Sequence, residues 1–168
     1  GMSEHIQEIL TDACAKPDGL ILVCGPGASG KTATLYAGMK QLNDGRRNIL
    51  TVENPIEYPV ENIVQTQIDT ESGVGFAQGL RAILHQDPDV VMIGEIDDRE
   101  TAGIVVEASL DGRLVLAAIN SIDAVSAITQ LREMHVDPFL LASSIRVIIG
   151  QRMVRKLCEH CRRPIQAE

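Results

Sequence analysis

Two kinds of apolar pattern alternate along this chain. The first is the short continuous run. Leu20-Ile21-Leu22-Val23-Cys24, Val90-Val91-Met92-Ile93-Gly94 and Leu114-Val115-Leu116-Ala117-Ala118-Ile119 are three such runs. Bounded by turn residues, they predict strands buried on both faces, as in a parallel sheet. Asn48-Ile49-Leu50-Thr51-Val52-Glu53 predicts a further strand, and Ile63-Val64-Gln65-Thr66-Gln67-Ile68 alternates well enough for a short one. The second pattern repeats at spacings of three and four, the period of a helix with one buried face. Ile6, Ile9, Leu10 and Ala13 predict a helix over residues 3–15. Phe76, Leu80, Ile83 and Leu84 predict another, as do Ala102, Val105, Val106 and Ser109. Ala124, Ala127, Ile128 and Leu131 make a third stripe, and Leu140, Leu141, Ile145, Ile148 and Ile149 a fourth.

Turn chemistry separates these segments. Pro17-Asp18-Gly19, Asn43-Asp44-Gly45, Asn54-Pro55, the polar stretch from Thr70 to Gly75, Asp87-Pro88-Asp89 and Asp111-Gly112 all read as breaks. Asp98, Asp123 and Asp137 (followed by Pro138) are placed as helix N-caps, and His85 as a helix C-terminal cap or a surface histidine rather than a catalytic group. Strands alternating with helices predict an α/β fold, a mainly parallel sheet with helices on both faces. The chain divides into a leading helix over residues 1–17 and one α/β domain over 18–168. Gly1 ahead of Met2 reads as a residue left by recombinant expression.

The first strand run ends at Gly25-Pro26-Gly27-Ala28-Ser29-Gly30-Lys31-Thr32, which fits G-x-x-x-x-G-K-[ST]. Helix formers follow, with Thr34 in the first turn. Strand, glycine loop and helix together are the setting that this phosphate-binding pattern requires. Glycines let successive backbone N–H groups converge on phosphate oxygens, and the helix start adds a partial positive charge. Lys31 is expected at the β- and γ-phosphates of a nucleotide, and the Thr32 hydroxyl on Mg²⁺. Farther on, an apolar strand run is followed by Glu95, the Walker B arrangement, in which a carboxylate binds Mg²⁺ through water or activates the attacking water. Glu53 and Glu57 flank the Asn54-Pro55 turn. They are either carboxylates facing a ligand crevice, as at a strand's end in this fold class, or two surface acids. Asn120 ends its strand and lies beside Glu95 if the two strands are neighbours. Arg46 and Arg47 form either a solvated loop or a contact to phosphate or a neighbouring subunit.

Composition narrows the function classes. The 168 residues carry a formal net charge of −8, and aromatic residues make up only 2%. An acidic chain with few stacking platforms is not expected to bind nucleic acid. No apolar run is long enough to span a bilayer, and no signal-peptide pattern is seen, so the cytoplasm is the expected location. Cys14 and Cys24 stand apart, while Cys158 and Cys161 form a C-x-x-C.

Several stretches together resemble one family. They are residues 25–32, Leu50-Thr51-Val52-Glu53-Asn54-Pro55-Ile56-Glu57-Tyr58, Gly79-Leu80-Arg81-Ala82-Ile83-Leu84, residues 86–96, and Gln151-Arg152-Met153-Val154-Arg155-Lys156-Leu157-Cys158. The chain resembles the C-terminal motor domain of the type II secretion and type IV pilus assembly ATPases, of the general secretion pathway protein E type. The resemblance implies a RecA-like P-loop NTPase and ATP hydrolysis with Mg²⁺ that drives pseudopilus or pilus assembly and protein export. It implies a homo-hexamer, peripheral at the inner membrane, that works on a membrane platform protein. Glu95, helped by Glu53 and with Lys31, would be catalytic. Residues 25–32, Thr34 and Asn120 would hold the nucleotide, and Thr32 and Glu95 its metal. The family also has a four-cysteine zinc site. Cys158 and Cys161 match its first pair, and the second pair would lie beyond Glu168. The chain is then expected to be a fragment of a longer protein, with an upstream domain also outside it. Two thiolates do not complete a tetrahedral zinc site, so zinc is expected only in the longer parent chain.

The match has departures. The family usually has Asp at the position of Asn54, Arg at Asp97, and His at Arg113 and Asn120. These changes bear on turnover more than on binding. They motivate an alternative, a nucleotide-binding relative with little hydrolysis that serves as a regulatory or structural subunit. Arg113 is not expected to compensate for Asp97, because opposite ends of a five-residue strand are roughly 15 Å apart.

Overall fold

Each apolar run becomes a strand of one parallel sheet. The computed structural model describes residues 2–69 and 73–163. The strands are β1 (Gly19–Gly25), β2 (Ile49–Glu53), β3 (Val64–Gln67), β4 (Val90–Ile93), β5 (Leu114–Asn120) and β6 (Ile145–Gly150). Their order across the sheet is β3-β2-β4-β5-β1-β6, and every pairing is parallel. The helices are α1 (Glu4–Cys14), α2 (Lys31–Leu42), α3 (Phe76–Leu84), α4 (Arg99–Leu110), α5 (Ala124–Glu133) and α6 (Pro138–Ser144).

The period-two alternation of a strand sorts each run between two cores. Leu20, Leu22 and Cys24 of β1 pack with residues of α3, α4, α5 and α6. Ile21 and Val23 pack on the other face with Leu10 and Ala13 of α1 and Leu35, Tyr36 and Met39 of α2. β4 divides likewise, with Val91 and Ile93 on the first face and Val90 and Met92 on the second. Helices therefore cover both faces, as the alternation of strands and helices predicts.

The three aspartates cap as expected. Asp98 accepts from the Thr101 N–H, Asp123 from Ser126 and Asp137 from Phe139, each at 2.7 Å. His85 is the C-cap of α3. Of the polar turn expected from Thr70 to Gly75, residues 70–72 lie outside the described residues.

One predicted element is wrong. Ile145, Ile148 and Ile149 do not continue the helix of Leu140 and Leu141. α6 ends at Ser144, and Ile145 begins β6 without a connecting loop. Ile145-Arg146-Val147-Ile148-Ile149 is rich in β-branched residues, which suit a pleated strand better than a helix, and β1 offers it an open edge. The register then slips by one residue. Leu20 pairs with Ile145 but Ile21 pairs with Val147, so Arg146 is an extra residue in β6, a β-bulge. The Arg146 guanidinium bonds the Asp18 carboxylate, and its Nε donates to the Asp18 carbonyl at 3.3 Å.

With all strands parallel, the ends of β1, β2, β4 and β5 that carry Gly25, Glu53, Glu95 and Asn120 lie along one side of the sheet.

Candidate functional site

The glycine loop leaves β1 at Gly25 and returns as α2, whose N-cap is Gly30. Gly30 has φ +87°, a left-handed conformation that L side chains rarely adopt. At Gly25 the constraint is space: a Cβ there would meet the Gln151 carbonyl oxygen at 2.4 Å and Ser29 Oγ at 2.5 Å. Ser29 is buried, and its hydroxyl finds no hydrogen-bond partner among the described residues. Pro26, Gly27 and Ala28 are exposed. Residues 28–33 line an open cleft of about 430 Å³, together with Tyr36, Glu57 and Tyr58.

Lys31 folds back over the loop. Its ammonium donates to the Gly25 carbonyl at 2.9 Å, to the Pro26 carbonyl at 3.0 Å and to Asn120 Oδ1. Asn120 Nδ2 in turn donates to the Glu95 carboxylate. The condition set for Asn120 is met, since β4 and β5 are neighbours. One carboxamide thus links the loop cation to the acid that follows β4, and each of its polar ends meets a charged group of opposite character.

Glu53 is held differently. It is only 2% exposed, so it is no surface acid. Thr51 Oγ1 donates to Glu53 Oε1 at 2.6 Å, Gln65 Nε2 donates to the same oxygen at 3.0 Å, and the Tyr36 hydroxyl donates to Oε2. A buried carboxylate needs such donors to remain in place. The Tyr36 phenol is pushed up to about 12, first by burial and then by its hydrogen bond to Glu53 and that group's charge. The Tyr36 and Tyr58 rings lie 4.6 Å apart between centroids, and the Lys40 ammonium sits 4.9 Å from the Tyr58 centroid. Glu57 is exposed at the cleft rim.

The remaining residues singled out in the sequence are scattered. Asn54 and Asp97 are exposed. The Asp97 carboxyl is raised by partial desolvation and by Asp98 beside it. Arg113, at the opposite end of β5 from Asn120, donates to Asp111 at 2.5 Å. Asp97 and Arg113 thus follow the end of one strand and precede the start of its neighbour, as the sequence implies. Asp44 accepts from the Arg46 N–H at 2.9 Å and lies 3.9 Å from the Arg47 guanidinium. Cys158 and Cys161 are exposed around a turn closed by the Arg162 N–H on the Cys158 carbonyl at 3.0 Å.

Three residues that sequence reasoning did not assign enter the site. Tyr36 and Gln65 hold Glu53. Gln151 touches the loop: its Nε2 donates to the Ser29 carbonyl at 2.8 Å, and its Oε1 accepts from Thr34 Oγ1 at 2.7 Å. Gln151 opens one of the stretches that carry the family resemblance, but nothing local in the sequence places it at the loop, because its position depends on where β6 pairs.

The known proteins similar to this chain form a consistent set. A family model described as type II/IV secretion system protein matches residues 1–168. Type II secretion system protein E of Pseudomonas aeruginosa is 54% identical over 168 residues, covering 100% of this chain and 34% of that protein. Type II secretion system ATPase E of Vibrio cholerae is 51% identical over 168 residues, covering 100% of this chain and 33% of its own length. The chain therefore spans about a third of these relatives. Among solved structures, the pilus retraction motor PilT with bound ADP superposes with a TM-score of 0.76 at 30% identity, over 90% of this chain and 46% of that one. The ATPase DotB of Legionella pneumophila gives 0.77 at 26% identity, over 92% of this chain and 45% of that one. Among the described residues, no helix is long and apolar enough to cross a membrane.

Proposed function

The chain belongs to the type II/IV secretion system protein family, and on that premise we propose that it is the ATP-binding and ATP-hydrolysing domain of a secretion motor. The observation that carries this reading is the line of hydrogen bonds from Lys31 through Asn120 to Glu95 at the mouth of the glycine loop. It joins a phosphate-seeking cation to a metal-seeking carboxylate at the carboxyl ends of the strands, where ligands bind in this fold class.

The residues suit a nucleotide. The loop wraps too closely at Gly25 to admit a side chain, and the buried Ser29 hydroxyl has no hydrogen-bond partner among the described residues. Backbone amides of residues 27–32 and the Lys31 ammonium would hold the phosphates, with Gly25, Pro26 and Thr34 shaping the loop. Thr32 and Glu95 would hold Mg²⁺, which when bound neutralises phosphate charge. Asn120 holds Lys31 and Glu95 in register and offers a carboxamide to the nucleotide. Glu53, fixed by three donors, supplies a negative charge set behind the site. It helps Glu95 orient metal and water without itself moving.

For the whole protein, the family resemblance supports a homo-hexamer in the cytoplasm, peripheral at the inner membrane. It would bind ATP, act on a platform protein there and drive pseudopilus or pilus assembly and protein export, with no nucleic-acid partner. Cys158 and Cys161 supply two thiolates, half of the four that a structural zinc site of this kind needs.

A second reading is a subunit that binds ATP but turns it over poorly. Asn120 favours it, because a carboxamide cannot take on positive charge beside a developing anion. Measuring Mg-ATP binding and hydrolysis in the full-length protein separates the two, with Glu95→Gln as the blank and Lys31→Ala alongside. Turnover above the blank, with binding lost in Lys31→Ala, is the expected result. Binding at the blank rate selects the second reading, and undiminished binding in Lys31→Ala rejects both.

A further inference from the structure

We propose that Gln151 is a positioning residue of the phosphate loop, which aims the Gly30 N–H by holding the Ser29 carbonyl of the same peptide unit. This rests on the reading of residues 25–32 as a nucleotide site.

β1 lies between β5 and β6, so the ends of both neighbours flank the loop. Asn120 comes from β5 and reaches Lys31. Gln151 follows β6 and reaches the other side of the same loop. Its backbone N–H donates to the Cys24 carbonyl at 2.9 Å, which carries the strand pairing one residue past Gly150. Its side chain is then fixed at both ends. Nε2 donates to the Ser29 carbonyl at 2.8 Å, and Oε1 accepts from Thr34 Oγ1 at 2.7 Å. Thr34 belongs to the rigid first turn of α2, so the carboxamide is anchored on the helix and acts on the loop. The glycines leave room for this. A Cβ at Gly30 would lie 3.1 Å from Gln151 Nε2.

The physical consequence follows from the planar peptide. The Ser29 C=O and the Gly30 N–H belong to one trans unit and point in opposite directions. A donor that holds the carbonyl on one side therefore fixes the N–H on the other, in the run of amides that would meet phosphate. Ordering this peptide during folding removes the cost of ordering it on binding. Gln151 acts through the Ser29–Gly30 peptide, with no contact to the nucleotide required.

The side chain's two functions can be separated. Gln151→Ala loses both bonds. Thr34→Val loses only the anchor. Gln151→Glu keeps an acceptor for Thr34 but turns a carboxylate oxygen toward the Ser29 carbonyl, which disfavours the working orientation of the peptide. The probe is Mg-ADP, titrated calorimetrically into the chain and its variants, with thermal midpoints recorded for each. The expected order of affinity is unmodified chain, Thr34→Val, Gln151→Ala, Gln151→Glu. The Gln151→Ala loss should be about ten- to thirty-fold, from one or two hydrogen bonds at about tenfold per 1.4 kcal/mol. Thermal midpoints should move little and not in that order.

Two outcomes overturn the proposal. One is wild-type affinity in the Gln151 variants while Lys31→Ala abolishes binding, which leaves the nucleotide site standing. The other is an affinity loss that simply tracks the loss of thermal stability. If Lys31→Ala binds Mg-ADP as well as the unmodified chain, the nucleotide site itself is rejected, and this inference with it. Should Gln151→Ala fail to fold, the near-isosteric Gln151→Glu and the helix variant Thr34→Val still give the ranking.

Discussion

Replacing Tyr36 with phenylalanine tests what holds the buried carboxylate of Glu53. Tyr36 is 1% exposed and Glu53 2%, so neither group can turn to water when its partner is lost. The substitution keeps the ring and its packing against Tyr58, and removes one hydroxyl. Glu53 Oε1 keeps its donors from Thr51 at 2.6 Å and Gln65 at 3.0 Å, but Oε2 loses the Tyr36 hydroxyl. A hydrogen bond to a charged group contributes about 1.5–3 kcal/mol, and a buried acceptor left unpaired costs a similar amount. We therefore expect Tyr36→Phe to destabilise the fold by about 2 kcal/mol. For a domain of this size that is a fall of about 4–8 °C in Tm. Circular dichroism melts at neutral pH measure it directly. The effect should also depend on pH in a defined direction. The Tyr36 phenol is raised from 10.0 to about 12 in the folded chain, so the folded state holds this proton more tightly than the unfolded state. The resulting stabilisation is fully present below pH 10 and is lost as pH rises toward 12. Because phenylalanine has no such proton, the gap between the two proteins should narrow across that window. A Tyr36→Phe protein as stable as the original at pH 7, or a gap that widens above pH 10, would refute the reasoning.

Other outcomes follow from the packing. Gly79 of α3 faces Val52 and Ile68, and a Cβ there would sit 2.9 Å from a methyl of each. Both neighbours are buried and β-branched, so overpacking by about 1–3 kcal/mol should exceed the roughly 1 kcal/mol helix gain of alanine, and Gly79→Ala should be less stable. Gly103 in α4 has nothing within 4 Å of that position, so Gly103→Ala should gain about 1 kcal/mol. Urea midpoints shifting in the same direction for both would contradict the packing argument. Asp98→Ala should cost about 1 kcal/mol by freeing the Thr101 N–H from its cap, whereas Asp98→Asn should cost far less. Removing the Asp98 charge should also lower the Asp97 carboxyl toward its ordinary value, which an NMR titration of Asp97 reads.

Much of this architecture is legible in the sequence because its signals are local. Leu20-Ile21-Leu22-Val23-Cys24 is a continuous apolar run with turn residues on both sides, and it becomes a strand buried along its whole length. Asp98, Asp123 and Asp137 are caps because the residues that they bond follow within three positions. Asn120 could be set beside Glu95 once strand adjacency was assumed. What escaped depends on distant pairing. Ile145, Ile148 and Ile149 sit at helical spacing, and only an open edge of β1 makes them a strand. Misreading β6 hides Gln151, whose partners Ser29 and Thr34 lie far back in the chain. The hold on Glu53 was equally out of reach, since Tyr36 and Gln65 come to it from α2 and β3. Nothing near Glu53 in the sequence except Thr51 announces a donor.

The bulge at Arg146 makes β6 a ruler. Upstream of it Leu20 stands opposite Ile145, and downstream Cys24 stands opposite Gly150. Were the count uninterrupted from Leu20 and Ile145, Cys24 would face Ile149, and the carboxamide of Gln151 would fall one step too far along and on the opposite side of the sheet. Arg146 absorbs that step, and its clasp on Asp18 marks where the measurement starts. The length of the segment between Asp18's clasp and the glycine loop is thus constrained more tightly than its composition. Conservative exchanges among the isoleucines and valine should be tolerated there. A one-residue insertion or deletion should act at a distance, as a spatial frameshift that delivers the wrong side chain to the loop.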